Sequence, residues 1–241
     1  MKKAIVIVLW VLLLSFLLLC IPRLSGMNAG LFDYQSIDPD GAYAWISVHH
    51  LVQALIIVVI IVVIKAFMPL RFGFSWGDKE IGKRYVIKFT LIFGIGSLAT
   101  HILMILTNSF EHFTYPLTAT NIIGHLSFQF FLSGPSEELI FRAFAITMLA
   151  VMIRGKAFKG KISAANIIAA AIFGLAHVNL YFSPFFVSYH PFQIILSIIL
   201  GIFYGDCYEK TKSMYFPMIM HSISNVIMVS FSIILPLIVA A

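Results

Sequence analysis

The sequence predicts an all-α protein, a polytopic transmembrane bundle of about seven or eight helices. Three observations support this fold class. Of the 241 residues, 61% are hydrophobic and 11% are charged, and the mean hydropathy is +0.99, far above the range of soluble domains. Apolar runs about as long as a bilayer is thick recur along the chain. The short segments between these runs hold most of the Lys and Arg residues, a pattern typical of cytoplasmic loops.

The apolar runs follow one another through the whole chain. We take as spans residues 4–22, 45–70, 86–106, 121–153, 162–180, 192–208 and 215–239. Basic residues at 65–88, 154–161 and 210–212 then share the cytoplasmic side. If 121–153 crosses once, the N-terminus lies inside and the C-terminus outside, whereas a separate crossing at 121–132 would invert everything upstream of it.

The fourth run is too long for one straight span. Residues 121–153 would extend roughly 50 Å as a helix, against about 30 Å for the hydrocarbon core of a bilayer. Ser133, Gly134 and Pro135 lie within this run, and proline removes a helical hydrogen bond. We therefore expect a break there, with one helix at 121–132 and a second at 135–153. The first helix is either re-entrant or continues into the second across a kink.

Several polar side chains in the spans have a structural interpretation. We interpret His49 and His50, at the start of the second span, as interfacial residues rather than ligands. Asn121, His125 and Gln129 are spaced four residues apart and share one helix face. This spacing favours hydrogen bonding between helices over catalysis.

Three charges stand within the second half of the fourth run. Ionisable groups in a membrane cost several kcal/mol, so each is a candidate functional group. Glu138 and Arg142 are four residues apart and can pair on one helix face. Glu137 is rotated by about 100° from Glu138, and Arg142 cannot easily serve both carboxylates. One acid is therefore left without an obvious partner, unless the three charges only stabilise the bundle.

Later spans add His177 and the pair His221 and Asn225, which are four residues apart. A carboxylate and a neutral imidazole around one water form a general base. An imidazole N–H and an amide N–H on one helix face can stabilise the oxyanion of a tetrahedral intermediate. These residue types are those that peptide hydrolysis needs without a covalent nucleophile.

Helix rise tests whether these groups lie at one depth. Glu137 and His177 both lie about 24–26 Å from the nearest cytoplasmic charges, but His221 would lie only about 14 Å from them. His221 rises if residues 213–216 are extended and the helix begins at Pro217. We therefore expect non-helical backbone before Pro217, buried by protein rather than facing lipid.

The chain resembles the CPBP (CAAX protease and bacteriocin-processing, or Abi) family of intramembrane proteases over about residues 116–235. The resemblance rests on three motifs in order, Glu137-Glu138-x-x-x-Arg142, Phe173-x-x-x-His177 and His221-x-x-x-Asn225. It implies a four-helix catalytic core within 116–241, preceded by three peripheral spans in 1–115. Ala143 departs from the glycine that many members have after the arginine, which we expect to affect packing only.

The resemblance also implies a role for each site residue. The roles are water activation by Glu137 and His177, support by Glu138 and Arg142, and an oxyanion hole from His221 and Asn225. Glu137, His177 and His221 could instead hold zinc, although the HExxH motif is absent. No other cofactor is implied.

By the same resemblance, the protein is a multi-pass integral protein of a bacterial or archaeal cell membrane. It would hydrolyse a peptide bond of a membrane-associated or prenylated, CAAX-type peptide or protein, or of a bacteriocin-like peptide. Its partners would be this peptide or lipidated-protein substrate and the lipid bilayer. The net charge of +6 comes from loops that set topology, so we expect no nucleic-acid partner. The oligomeric state stays open.

Two other functions compete with this one. The first is a non-catalytic membrane scaffold or bacteriocin self-immunity protein, which would not need six costly polar groups in lipid. The second is a proton-coupled transporter with a relay through Glu137, His177 and His221, for which no inverted repeat is visible.

Overall fold

The computed structural model describes residues 2–157, 159–182 and 184–239. It is an all-α membrane-type bundle with two short antiparallel hairpins. The helices are α1 (Lys2–Ala29), α2 (Ala44–Phe67), α3 (Lys79–Leu106), α4 (119–152), α5 (Ala164–Leu175), α6 (Pro191–Thr211) and α7 (Tyr215–Val239). The strands are β1 (Lys156–Ala157), β2 (Ile162–Ser163), β3 (Asn179–Phe182) and β4 (Phe185–Ser188).

Five of the described helices, α1, α2, α3, α6 and α7, are long and apolar enough to cross a membrane. The fold-class prediction of an all-α membrane bundle is confirmed. Helix α4 follows a continuous helical path of roughly 50 Å. Helix α5 is apolar but has 12 residues, about 18 Å, which is shorter than a bilayer core.

The fourth run is not divided into two separate helices, and of the two alternatives for its first part the structure has the continuous one. Helix α4 passes through Ser133 and Gly134 with helical dihedral angles, φ −57° and ψ −68° at the first and φ −55° and ψ −53° at the second. A π-helical segment at Gln129–Ser133 precedes Pro135, which opens the short α-helical piece Gly134–Glu138. Proline has no N–H group to donate to the preceding turn. The π-helical hydrogen-bond pattern before Pro135 lets the helix continue without that bond. A second π segment follows at Leu139–Ile146.

Other boundaries also differ from those expected, as at α1 and α5. Helix α1 continues through Pro22 to Ala29, so the first loop begins later than residue 23. Helix α5 ends at Leu175, and β3 then pairs with β4, with Asn179 opposite Ser188. The apolar run to residue 180 is therefore part helix and part hairpin, which hydropathy alone does not distinguish. As a result, His177 lies in the turn after α5 rather than within a span.

The expected non-helical backbone before Pro217 is present and buried. Helix α6 ends at Thr211, Lys212 adopts the left-handed conformation (φ 58°), and α7 begins at Tyr215, two residues earlier than expected. Ser213 and Met214 are buried, and the Met214 N–H donates to Gly73 O at 3.0 Å. Protein groups thus satisfy this backbone where lipid could not.

The largest hydrophobic cluster gathers around α4. All eight residues of the π segment Leu139–Ile146 are buried. Leu18 of α1, Ile57 of α2 and Phe173 of α5 belong to the same cluster. Helix α4 is therefore the central element of the bundle, and the arrangement of the helices around it determines which of its side chains are in contact with another helix.

The polar stripe on the first half of α4 binds the loop between α1 and α2. The Asn121 Nδ2 group donates to Asp40 Oδ2 at 2.8 Å, and His125 Nδ1 donates to Ala42 O at 2.7 Å. Gln129 Nε2 lies 3.2 Å from His125 Nε2. The stripe does make hydrogen bonds, but its partners Asp40 and Ala42 lie in the loop before α2 and not on another helix, as the prediction had it.

In that loop, the Asp38 side chain bonds to the backbone at the start of α2. Its carboxylate accepts hydrogen bonds from the N–H groups of Ala42, Tyr43 and Ala44 at 2.7–2.8 Å. Burial alone would raise the pKa of the Asp38 carboxyl, but the backbone N–H groups of Ala44, Tyr43 and Ala42 outweigh it and hold the pKa below its ordinary value. The carboxylate therefore stabilises the fold in its ionised form.

We predict that Asp38→Asn lowers the stability of the folded protein by about 1–2 kcal/mol, because an amide cannot accept all three hydrogen bonds. Since the folded pKa is lower than the unfolded one, the wild-type advantage is complete above about pH 4 and disappears as pH falls through the folded value. Thermal unfolding of both proteins in detergent, from about pH 3 to 7, measures the difference. Asp33→Asn, in the exposed part of the same loop, is the control. A gap that widens toward acid pH would contradict the prediction.

Candidate active site

The short α-helical piece between the two π segments of α4 carries the paired glutamates. Helix α7 approaches it closely at Gly134, where a Cβ atom would lie 2.8 Å from Ser222 N and 3.1 Å from His221 Cβ. Only glycine permits this distance. The contact brings the third sequence motif onto the first.

Glu138 and Arg142 form the predicted pair at the centre of the bundle. Their side chains are 0% and 1% exposed, and Arg142 Nε lies 2.9 Å from Glu138 Oε2. The other oxygen, Glu138 Oε1, accepts a hydrogen bond from His221 Nδ1 at 2.8 Å. One buried carboxylate therefore holds both a guanidinium and an imidazole.

Aromatic rings surround the Arg142 guanidinium. Its central carbon lies 4.5 Å from the centroid of Phe173 and 5.4 Å from that of Tyr204, both within the range of cation–π contact. Within the described residues, none of its three nitrogens has a hydrogen-bond acceptor in good alignment, so the 2.9 Å approach to Glu138 is a charge contact. Glu138 and the two rings are what offset the cost of this buried charge.

Glu137 has a different environment from its neighbour. Its side chain is 18% exposed, and no hydrogen bond to it is found among the described residues. Oε2 faces His221 Nε2 at 3.7 Å, and Oε1 faces His50 Nε2 at 4.0 Å. Glu137 is therefore the acid that Arg142 does not serve, and it retains its lone pairs between two imidazole rings.

The interpretation of His50 as an interfacial residue is wrong. His50 is buried on α2, and its Nδ1 lies 2.7 Å from Ser136 Oγ and 2.9 Å from Gln53 Nε2. Helix rise could have revealed this position, because His50 precedes Lys65 by a distance of about 22 Å, close to the depth of Glu137. The polar pair His50 and Gln53, three residues apart in an apolar span, was a second signal.

The structure does not join His177 to the glutamates. Its Nδ1 donates to Phe173 O at 2.9 Å, and its Nε2 lies 3.4 Å from Ser197 Oγ. The ring of Phe173 lies 5.0 Å from that of His177 and 5.9 Å from that of His221. Phe173 thus contacts both imidazoles, and among the described contacts none links His177 with Glu137.

Asn225 lies one turn beyond His221 on α7. Its Nδ2 group donates to Ser133 Oγ at 3.0 Å, which leaves the second N–H of the amide for another acceptor. Ser222, on the same helix, donates to Phe130 O at 2.7 Å. These bonds fasten α7 to the first π segment.

The residues do not form a zinc-binding set. A catalytic zinc ion in a protein takes three side-chain ligands and keeps a fourth position for water or substrate. Across the residues that the structure describes, no group of three or more His, Cys, Asp or Glu side chains is arranged to hold a metal ion. Of the three candidates, His177 turns its ring to Phe173 and Ser197 instead of Glu137 and His221.

Residues 119–227 match the family model described as type II CAAX prenyl endopeptidase, Rce1-like. We refer to this matched segment as the Rce1-like domain. The Rce1-like domain contains all three motifs and agrees with the resemblance to CAAX proteases of the CPBP family. Comparison with curated proteins and with solved structures found no match. The family supports intramembrane protease activity in an integral membrane protein, and His50 and Gln53 lie outside the matched segment.

We predict that Gly134→Ala separates α7 from α4, because the added methyl group would meet backbone and Cβ atoms that cannot move independently. The expected loss of stability is about 1–3 kcal/mol, together with loss of the contact between Glu138 and His221. Thermal unfolding in detergent measures the first effect.

Gly96→Ala on α3 is the matched control, since a Cβ atom there would meet nothing within 4 Å. It should leave stability unchanged or raise it slightly, because alanine favours helix. Equal behaviour of the two variants would show that the close approach at Gly134 does not limit packing.

Proposed function

We propose that the protein is an intramembrane endopeptidase that uses a water activated by Glu137 to hydrolyse a peptide bond of a membrane-associated or prenylated, CAAX-type substrate. One observation carries this proposal. Glu137 is partly accessible and has no hydrogen bond among the described residues, while the adjacent Glu138 is fully buried and engaged. A free carboxylate beside imidazoles suits general-base chemistry.

In the proposed reaction, Glu137 takes a proton from water as the water oxygen attacks the carbonyl carbon of the scissile bond. The carbonyl oxygen becomes an oxyanion. Glu137 then returns the proton to the leaving nitrogen, and the C–N bond breaks to give a carboxylic acid and an amine. Atoms and charges balance without a cofactor.

The contacts of His221 support a role beside that water. Glu138 fixes the ring by accepting from Nδ1, so Nε2 is held toward Glu137. When Nε2 carries a proton it can donate to the oxyanion, and the second amide N–H of Asn225 can assist it.

The family signature assigns water activation to His177 as well. In this structure the Nδ1–H group of His177 donates to Phe173 O, so its neutral ring offers Nε2 as an acceptor. We propose that His177 has a positioning role. Its ring packs against the ring of Phe173, which also contacts His221 and Arg142. The substrate class rests on the Rce1-like domain, because a CAAX-type peptide is the substrate that the family description names.

We predict that Glu137→Gln abolishes cleavage, lowering kcat by about 100-fold or more, while the protein stays folded. Purified wild type and variant are assayed on matched prenylated and non-prenylated reporter peptides, each with and without a strong chelator. Cleavage by wild type alone supports the proposal. Cleavage by neither protein, or by both equally, contradicts it.

Glu138→Gln is the control variant for this assay, because the two acids are neighbours in different environments. Replacing the Glu138 carboxylate leaves the buried Arg142 charge without a partner, so we expect a destabilisation of about 3–5 kcal/mol. Glu137→Gln should change thermal stability little. Equal destabilisation by the two substitutions would contradict the division of roles between the acids.

A further inference from the structure

We infer that His50, which lies outside the Rce1-like domain, is a positioning residue that orients the Glu137 carboxylate; the inference rests on the proposed function. His50, Gln53 and Ser136 form a buried polar cluster between α2 and α4. Ser136 directly precedes Glu137 in the chain. The cluster therefore couples a peripheral helix to the proposed general base.

The hydrogen bonds of this cluster determine where the His50 proton lies. Gln53 Nε2 is a donor only, and it lies 2.9 Å from both His50 Nδ1 and Ser136 Oγ. Nδ1 must therefore accept. The neutral imidazole then carries its proton on Nε2, and this nitrogen faces Glu137 Oε1 at 4.0 Å.

Ser136 completes the cluster without competing with this assignment. Its hydroxyl has one hydrogen, which can point to His50 Nδ1 at 2.7 Å or to Ser133 O at 3.1 Å. In both cases Nδ1 is an acceptor. Burying three polar side chains between helices costs free energy unless all are bonded, and an apolar contact would pack two helices at lower cost.

The consequence is that the two oxygens of Glu137 face two different rings. His50 from α2 faces Oε1, and His221 from α7 faces Oε2. The other ionisable groups around Glu137 are Glu138 and Arg142 on its own helix and Tyr204 on α6. Among these neighbours, His50 presents an N–H group to the oxygen that lies away from His221. Loss of His50 should let the carboxylate rotate and removes the N–H group that faces Oε1.

The first test compares His50→Phe, His50→Gln and His49→Gln. His50→Phe should lower kcat by about 10- to 100-fold with little change in KM, and it should move the acidic limb of the pH–rate profile to higher pH. His50→Gln should recover part of the rate, because an amide N–H can replace the imidazole N–H. His49→Gln is the matched control, because His49 stacks on Trp45 and, although its ring lies 5.1 Å from that of His50, it makes no contact with Glu137 among those described. It should leave both readouts unchanged.

The second test does not depend on activity. The ¹⁵N chemical shifts of the His50 ring should show the proton on Nε2 in wild type, and Glu137→Gln should change the Nε2 shift. If wild type cleaves no peptide but both spectral results hold, the inferred contact stands and the proposed function fails. If wild type is active while His50→Phe matches His49→Gln in kcat and pH profile, or if Nδ1 carries the proton, the inference about His50 is overturned.

Discussion

The burial of Arg142 beside Glu138 is the constraint on which the rest of the site depends. A guanidinium with 1% exposure needs a counter-charge and neighbours that tolerate its N–H groups, which have no hydrogen-bond acceptor among the described residues. Glu138 supplies the charge, while Phe173 and Tyr204 supply the aromatic faces. Because Glu138 also accepts from His221, the same pair fixes the ring that faces the neighbouring acid. The buried, paired carboxylate and the carboxylate that we propose as the general base thus belong to adjacent residues in different environments.

Helix α4 can present these groups because it changes its register without breaking. A π segment lies on each side of Gly134–Glu138, and π geometry widens the helix at sites that are often functional. The first π segment accommodates Pro135, while the second is buried along its full length in the main hydrophobic cluster. Gly134 then admits α7, which carries His221 to the glutamates. Backbone geometry and the absence of one methyl group together set the distance between the first and third motifs.

The site extends beyond the segment that matches the family. His50 and Gln53 come from α2, and their bonds to Ser136 place an imidazole on the open side of Glu137. The N-terminal helices therefore contribute polar groups to the site as well as apolar residues to the core. By contrast, His177 belongs to the matched segment but contacts the site through the ring of Phe173. Membership of a motif and contact with the proposed base are separate properties in this protein.

The sequence by itself determined the properties that depend on local spacing. Composition and apolar runs predicted the membrane bundle, and the four-residue interval predicted the pair of Glu138 and Arg142 with one acid left over. The depth of His221 required buried non-helical backbone before α7, which the structure contains. Only the tertiary structure decided the partners of Glu137, because the rotation of α2 and α7 about their axes depends on packing between distant segments. It also decided the position of His177, because hydropathy does not show where in an apolar run the helix ends and the hairpin begins.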